Sequence, residues 1–165
     1  MANAMPQALG LKKAYPERQV ISISGDGGLA MLLGDLLTAI QEKLPIKVVV
    51  LNNASLNFVE LEQKVEGLLD NYTDLLNPDF ARLAEVIGFH GRKVTRSEEL
   101  EAAVQEFLAQ PGPALLDVHT NPAELVMPPK IEFGQVADTA LYAAKAVLSG
   151  RFKDVETLLV NNLLK

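Results

Sequence analysis

The chain has 165 residues, of which 48% are hydrophobic and 22% charged, with a formal net charge of -6 and no cysteine. This length and balance predict one globular domain with a substantial core and exclude a disordered chain. The acidic balance argues against a nucleic-acid surface, and the lack of cysteine excludes a disulfide scaffold and a thiolate zinc site. No apolar run approaches the roughly 18 residues of a membrane span, and the first residues lack a signal-peptide layout, so we expect a cytoplasmic location.

Strand-like and helix-like apolar patterns alternate along the sequence. A short β-rich run at residues 20–23 ends at a Gly-Asp-Gly-Gly segment, and residues 29–43 then carry apolar side chains at helical spacing. Residues 46–51 predict a nearly continuous apolar strand, which is typical of a sheet covered by helices on both faces. The remaining predicted elements are helices at residues 55–65, 79–87, 97–110, 136–148 and 154–164 and strands at residues 91–95 and 114–119.

This alternation predicts the α/β fold class, with a parallel sheet, right-handed crossovers and helices on both faces. Asp79 is the expected N-cap of one helix, and Gly88 stands just past its end. Ser97 opens a later helix with a capping-type start. We expect one domain over residues 1–150, followed by a helical tail over residues 151–165.

Two polar segments stand at the carboxyl ends of the first two predicted strands: Gly-Asp-Gly-Gly at residues 25–28 and Asn-Asn at residues 52–53. Because the carboxyl ends of parallel strands share one edge of a sheet, we expect Asp26 and Asn53 to lie close together. The first segment also fits the G-x-G-x-x-G/A fingerprint of a dinucleotide site. That interpretation lacks the acidic residue expected at the end of the second strand.

A carboxylate inside a phosphate-binding loop repels a diphosphate unless a cation lies between them. Magnesium takes oxygen ligands and is usually shared between one or two side chains and substrate phosphates. Asp26 and the neutral Asn53 would supply two such ligands, while Gly27 and Gly28 would let backbone amides approach the phosphates at a helix N-terminus. The ordinary alternative for each segment alone is a tight strand-to-helix turn with an Asp N-cap, and an Asn-Asn loop.

The Gly-Asp-Gly segment followed by Asn-Asn, with 26 residues between Asp26 and Asn53, resembles the signature of thiamine-diphosphate-dependent enzymes. Nearly the whole chain is similar to the C-terminal, diphosphate-binding domain of the pyruvate oxidase and pyruvate:quinone dehydrogenase branch. The strings that carry this similarity are residues 1–10, 16–20, 57–60 and 148–151. The resemblance implies a thiamine-diphosphate-binding fold over residues 1–150. An acetolactate synthase-like domain and a catalytically inactive cofactor-binding module are the alternatives.

The resemblance also assigns site residues. It implies that Asp26, Asn53 and the backbone carbonyl of Ser55 bind Mg²⁺. The residues that it implies to line the cofactor are Met1, Gly25, Asp26, Gly27, Gly28, Asn53, Ser55, Leu56 and Asn57. Phe58 and Glu62 match positions at which pyruvate oxidases contact the substrate intermediate and the flavin side of the site. Their ordinary alternatives are a helix core residue for Phe58 and a solvated helix face for Glu62.

Two of these positions carry further implications. Met1 falls where the family keeps a large apolar residue that props the cofactor into a bent shape. Asn57 departs from the glycine that many relatives have, which affects the expected turn. Acetolactate synthases tend to follow Asn-Asn with a Gly-x-Leu-Gly-Met-Val-Arg-Gln type of string, whereas Phe58, Glu60 and Glu62 fit the oxidase pattern better and no arginine appears.

The resemblance further implies cofactors and partners. Thiamine diphosphate and Mg²⁺ would be bound here, FAD mostly by domains outside this sequence, and pyruvate or a similar 2-oxo acid would be the substrate. The pyrimidine-binding domain of a partner subunit would supply a glutamate, so we expect a homo-oligomer. We interpret the sequence as a fragment or excised domain that is inactive or nearly so in isolation. The electron acceptor, either oxygen with phosphate or a quinone, stays open.

The tail, residues 151–165, has two possible interpretations. The tail spaces its apolar residues as an amphipathic stripe. Quinone-linked relatives use such a segment to reach the membrane, so peripheral lipid contact is one interpretation, and docking on its own domain or on another subunit is the other. For His90 and His119 we expect structural or surface roles.

Overall fold

The computed structural model describes residues 1–124 and 133–162. The strands are β1 (Ile21–Gly25), β2 (Lys47–Asn52), β3 (His90–Val94) and β4 (Ala114–His119). The helices are α1 (Ala4–Ala14), α2 (Asp26–Ala30), α3 (Leu36–Gln41), α4 (Asn57–Val65), α5 (Phe80–Ile87), α6 (Leu100–Ala109), α7 (Phe133–Leu148) and α8 (Phe152–Asn162), with 3-10 turns at Leu33–Asp35 and Ser97–Glu99. No helix in these two described ranges is long and apolar enough to cross a bilayer.

The four strands form a parallel sheet in the order β1-β2-β4-β3. Both faces of the sheet are packed, because successive side chains of β4 enter different clusters. Leu115 lies in one core cluster with Val48 and Phe80, and Leu116 lies in the other with Phe107 of α6. Burial on both faces explains why the central strands are almost uninterrupted apolar runs. The predicted α/β fold class, with a parallel sheet covered by helices on both faces, is confirmed.

The helix predicted over residues 29–43 is wrong as one element. The segment forms α2, the 3-10 turn and α3 in succession. Gly34 lies inside the 3-10 turn, and glycine costs about 1 kcal/mol relative to alanine in a helix interior. The apolar spacing is retained because Leu29, Leu36 and Ala39 all enter the same core cluster.

Helix α5 begins and ends as predicted. The Asp79 carboxylate accepts a hydrogen bond from Arg82 N at 3.0 Å, and this bond lowers the pKa of Asp79. Gly88 ends the helix at φ 100°, a left-handed conformation that favours glycine. The capping-type start predicted at Ser97 is wrong, because its hydroxyl lies 3.1 Å from the Glu98 carboxylate and makes no cap to the backbone.

The chain divides into two compact units. The first contains Met1–Ala54 and Leu76–Thr120, and the second contains Ser55–Leu75 and Asn121–Lys165. The sheet belongs to the first unit, and helices α4, α7 and α8 belong to the second. Residue 150, where we predict that the domain gives way to a tail, lies inside the second unit, and that boundary stays a prediction.

Within the second unit, Arg151 joins the start of α8 to the loop that follows α4. Its Nη2 lies 3.0 and 2.9 Å from the two carboxylate oxygens of Asp70, and its Nε lies 2.6 Å from Asp154 Oδ2. Burial alone would raise the pKa of Asp70, but the hydrogen bonds from Arg151, the charge of Lys64 and a backbone hydrogen bond together outweigh it, so the pKa lies below its ordinary value. Arg151 therefore attaches the first residue of the tail to the loop after α4, and the docking of the amphipathic stripe stays a prediction.

Replacing Arg151 by methionine, which keeps the aliphatic stem, is expected to lower the free energy of unfolding by about 1–3 kcal/mol at pH 7. Asp70 has a lowered folded pKa, so the contribution is present above the ordinary value of 3.8 and is lost as the pH falls through the folded pKa. Urea unfolding at pH 7 and pH 3 measures this difference. Arg96→Met, which removes an exposed pair with Glu98, is the control and should change stability little. An equal loss at both pH values would contradict the prediction.

Candidate functional site

The carboxyl edge of the sheet brings the two polar segments together. Gly25 of β1 stands opposite Leu51 of β2, so Asp26 and Asn52, which follow them, occupy the same edge. Both side chains are withdrawn from solvent, with 2% of Asp26 and 4% of Asn52 exposed. The predicted proximity of the Gly-Asp-Gly-Gly and Asn-Asn segments is thus present within the first unit.

The Asp26 carboxylate is held by one N–H donor on each oxygen. Oδ1 accepts a hydrogen bond from Gly27 N at 2.9 Å, and Oδ2 accepts one from Asn77 Nδ2 at 2.6 Å. Each carboxylate oxygen has two lone-pair sites, so each keeps one for a further partner. Among residues 1–124 and 133–162, no cationic side chain makes a hydrogen bond to Asp26, and a buried anion with remaining acceptor capacity fits a hard divalent cation that takes oxygen ligands.

A hydrogen-bonded line of side chains runs along the sheet edge from Asp26 through Asn77 and Asn52 to Asp117 on β4. Asn77 Nδ2 also donates to Asn52 Oδ1 at 3.0 Å, and Asn52 Nδ2 donates to Asp117 Oδ1 at 3.0 Å. Asp117 lies on β4 and is fully buried, and its Oδ2 is 3.5 Å from His119 Nε2. Two carboxylates, at positions 26 and 117, are therefore connected through two carboxamides.

The glycine segment leaves space beside this carboxylate. Gly25 is extended at φ -72° and ψ 160°, and α2 begins at Asp26 itself. A Cβ placed on Gly25 would meet no atom within 4 Å, whereas one placed on Gly28 would be in ordinary contact with Ala2 N at 3.7 Å. The open space beside Gly25 is compatible with the close approach of a phosphate, and the phosphate contacts of Gly25, Gly27 and Gly28 stay a prediction.

Two further residues of the first unit are predicted site residues: Asn53 as a metal ligand and Met1 as a cofactor contact. Asn53 directly follows β2 and is half-buried. The next residue, Ala54, has φ 56°, a left-handed conformation that costs a non-glycine residue roughly 1–2 kcal/mol. Such strain is often found at functional sites. Met1 precedes α1 and is 75% exposed, and its predicted contact with the cofactor is not tested.

The remaining predicted residues belong to the second unit. Leu56 N donates to Thr73 O at 2.8 Å, and Ser55 Oγ lies 2.9 Å from Glu60 Oε2. Glu60 also pairs with Lys64 along α4. Asn57, the first residue of α4, donates from Nδ2 to Pro122 O at 3.1 Å.

Phe58 and Glu62, the two predicted substrate-side residues, are both exposed on α4. Phe58 is 67% exposed, so the alternative of a helix core residue does not apply to it within this chain. Glu62 fits the solvated helix face that was its ordinary alternative. The cofactor or substrate roles of Ser55, Leu56, Asn57, Phe58 and Glu62 stay predictions.

Sequence reasoning missed three residues of the hydrogen-bonded line: Asn52, Asn77 and Asp117. Asn52 belongs to the predicted Asn-Asn motif, but the motif does not predict its contacts with Asn77 and Asp117. Asp117 is a lone carboxylate inside an apolar strand, and a buried charge of that kind signals a specific partner. Asn77 stands just before the proline and N-cap that start α5, with no local pattern that connects it to Asp26.

The comparisons with known proteins agree with this geometry. The family described as thiamine pyrophosphate enzyme, C-terminal TPP binding domain, matches residues 1–118. YdaP of Bacillus subtilis (strain 168), whose name describes it as thiamine pyrophosphate-containing, is 43% identical over 145 residues, which are 88% of this chain and 25% of YdaP. The mitochondrial acetolactate synthase catalytic subunit of Saccharomyces cerevisiae is 38% identical over 129 residues, which are 78% of this chain and 19% of that protein.

A third relative is the large subunit of acetolactate synthase isozyme 2 of Escherichia coli (strain K12), 37% identical over 131 residues, which are 78% of this chain and 24% of that protein. The chain thus spans about a fifth to a quarter of the length of these relatives. The predicted membership of the thiamine-diphosphate enzymes is confirmed, and the two relatives above that are named for a reaction are acetolactate synthases. The chain belongs to the family of C-terminal thiamine pyrophosphate-binding domains of thiamine pyrophosphate enzymes.

Proposed function

We propose that this chain is the domain that binds thiamine diphosphate with Mg²⁺ in an enzyme acting on pyruvate or a similar 2-oxo acid. The observation that carries the proposal is the buried Asp26 carboxylate at the carboxyl edge of β1, with one donor on each oxygen and acceptor capacity left over. Asp26, Asn53 and the Ser55 carbonyl would hold the metal. Because Mg²⁺ usually shares its oxygen ligands between protein and phosphates, the diphosphate would complete its coordination.

The residues of this chain would bind and orient the cofactor and its metal. The cofactor itself would supply the reactive carbon and the electron sink for the 2-oxo acid. Asp26 offsets the charge of the metal, and the neutral Asn53 limits the negative charge that the diphosphate meets. The open space beside Gly25 would admit phosphate oxygens to the backbone amides of the glycine segment. Met1, Leu56 and Asn57 would contact the cofactor, as the resemblance to the family implies.

Acetolactate synthase chemistry is the reaction that the relatives favour. Relatives at 37–38% identity are named for it, and the YdaP name gives no reaction. The pyruvate oxidase reaction with flavin is the second candidate, because Phe58, Glu60 and Glu62 follow Asn-Asn as they do in the oxidase pattern. The two reactions differ in product, since acetolactate accumulates in one and flavin is reduced in the other.

Isothermal titration of the chain with thiamine diphosphate, with and without Mg²⁺, tests the binding proposal. We expect binding that requires the metal and is reversed by a chelator. Absence of binding in excess Mg²⁺ would overturn the proposal. A related domain fold with no affinity for the cofactor would then be the remaining interpretation.

The isolated chain is expected to bind the cofactor and yet turn over pyruvate negligibly, because the glutamate of the pyrimidine-binding domain is supplied by another subunit. Pyruvate consumption by the purified chain, saturated with thiamine diphosphate and Mg²⁺, measures this. Addition of a separately expressed pyrimidine-binding domain of this enzyme class should restore turnover. Turnover by the isolated chain at the restored rate would contradict the prediction. Adding FAD and the flavin-binding domain of this enzyme class to the restored mixture then lets the product, acetolactate or reduced flavin, decide between the two reactions.

A further inference from the structure

The Asn77 amide nitrogen bridges the two polar segments of the sheet edge. It lies 2.6 Å from Asp26 Oδ2 and 3.0 Å from Asn52 Oδ1. A carboxamide nitrogen carries two hydrogens, so both contacts can be satisfied at once. Asn77 thus uses its full donor capacity to connect the carboxylate after β1 to the amide at the end of β2.

The direction of these bonds is set by Asp117. A carboxylate accepts hydrogen bonds and has no hydrogen to donate, so the Asn52 amide must present its NH₂ group to Asp117 Oδ1, which is 3.0 Å away. Asn52 Oδ1 then faces Asn77 and requires a donor there. The fully buried Asp117 therefore fixes the orientation of Asn52, and Asn52 in turn fixes that of Asn77.

The backbone also holds Asn77 in place. Asn77 precedes Pro78, which restricts it to extended conformations. Phe80, at the start of α5, is fully buried in the core. Asn77 is therefore held between Pro78 and a buried helix start rather than in a free loop.

We propose that Asn77 is a positioning residue that holds the Asp26 carboxylate in the orientation required for metal binding. The proposal rests on the proposed function, in which Asp26 binds Mg²⁺. A carboxylate fixed before the metal arrives loses less conformational entropy on binding, and partners that orient metal ligands typically contribute 10–100-fold to metal affinity. The other interpretation is that the Asn77 bonds merely attach the start of α5 to the sheet.

The test compares Asn77→Ala with Asp79→Ala in the full chain. Asp79→Ala removes the α5 cap two residues away and leaves the Asn77 side chain intact, so it controls for loss of local structure. Mn²⁺ serves as the metal probe, and its dissociation constant at saturating thiamine diphosphate is measured by electron paramagnetic resonance. The urea unfolding midpoint of each metal-free variant is measured alongside. Asn77→Leu, which keeps the side-chain volume without the donor, repeats the test if the alanine variant does not fold.

For Asn77→Ala we expect the Mn²⁺ dissociation constant to rise about 10-fold or more. For Asp79→Ala we expect a lower unfolding midpoint with an unchanged Mn²⁺ dissociation constant. If Asn77→Ala behaves like Asp79→Ala, losing stability but keeping its Mn²⁺ affinity, the positioning role is overturned while the proposed function stands. If the wild-type chain itself binds neither Mn²⁺ nor the cofactor, the proposed function fails, and the positioning role fails with it.

Discussion

Asp26→Asn is expected to lower the affinity for thiamine diphosphate in the presence of Mg²⁺ by about 100-fold or more, while the chain stays folded. The substitution removes the negative charge that a divalent cation requires and nearly preserves the shape of the side chain. Residues that only orient metal ligands already contribute 10–100-fold, so loss of a ligand should reach or exceed the upper end of that range. Isothermal titration at fixed excess Mg²⁺ measures the change.

The stability of the metal-free variant distinguishes the loss of a metal ligand from misfolding as the cause of a lower cofactor affinity. The Asp26 carboxylate accepts hydrogen bonds from Gly27 N and Asn77 Nδ2, and an asparagine would turn its NH₂ group toward one of these two donors. We therefore expect the metal-free Asp26→Asn variant to lose about 1–3 kcal/mol in urea unfolding and to stay folded. Asp35→Asn, the same chemical change in the 3-10 turn Leu33–Asp35, is the control and should keep the wild-type affinity. Equal cofactor binding by the wild type and Asp26→Asn would contradict the assignment of Asp26 as a metal ligand.

The sequence predicted the sheet because the relevant signals are local. An apolar run such as Lys47–Asn52 has few other stable arrangements than a strand with both faces covered. The α5 boundaries followed from Asp79 and Gly88, which act through their own backbone neighbours. The helix over residues 29–43 was less predictable, since its apolar spacing suits both a continuous helix and three short helical pieces that bury the same side chains.

The sequence predicts the motif residues of the candidate site but not the hydrogen bonds that support them. Asp26 and Asn53 could be placed on one edge because strand ends in a parallel sheet have a fixed relation. Asn77 and Asp26 are separated by 51 positions in the chain, and no local pattern encodes which amide will reach which carboxylate. Asn52 and Asp117 are 65 positions apart, and their bond depends on the β2–β4 pairing.

Which of the two reactions the enzyme carries out, oxidase or acetolactate synthase, is what the sequence determines least. The preference for an oxidase over an acetolactate synthase rests on Phe58, Glu60 and Glu62, which lie on α4 in the second unit. Phe58 is 67% exposed and Glu62 is also exposed, so the fold of this chain constrains neither side chain strongly. Residues that do not determine the fold can differ between branches, and a short string of them indicates a reaction only weakly.

Gly91→Ala is expected to lower the free energy of unfolding by about 3 kcal/mol or more, the largest stability effect that we predict. Gly91 lies in β3, where α5 packs directly on the strand. A Cβ at this position would stand 2.1 Å from the carbonyl oxygen of Ala81 and 2.8 Å from its carbonyl carbon. These are backbone atoms of a helix, so the clash is relieved only if α5 moves away from the sheet. Urea unfolding monitored by circular dichroism measures the loss.

Gly10→Ala is the matched control, because it adds the same methyl group where there is room. Gly10 lies inside α1, and a Cβ there would meet no atom within 4 Å. Since glycine in a helix interior costs about 0.5–1 kcal/mol relative to alanine, Gly10→Ala should stabilise the chain by that amount. Gly91→Ala and Gly10→Ala are therefore expected to change the free energy of unfolding in opposite directions, although both replace a hydrogen atom by a methyl group.

A loss below about 1 kcal/mol for Gly91→Ala would mean that α5 shifts at little cost and that its close packing on β3 is not required. Because α5 begins with the buried Phe80, three residues after Asn77, such freedom would weaken the case that Asn77 holds the Asp26 carboxylate in place.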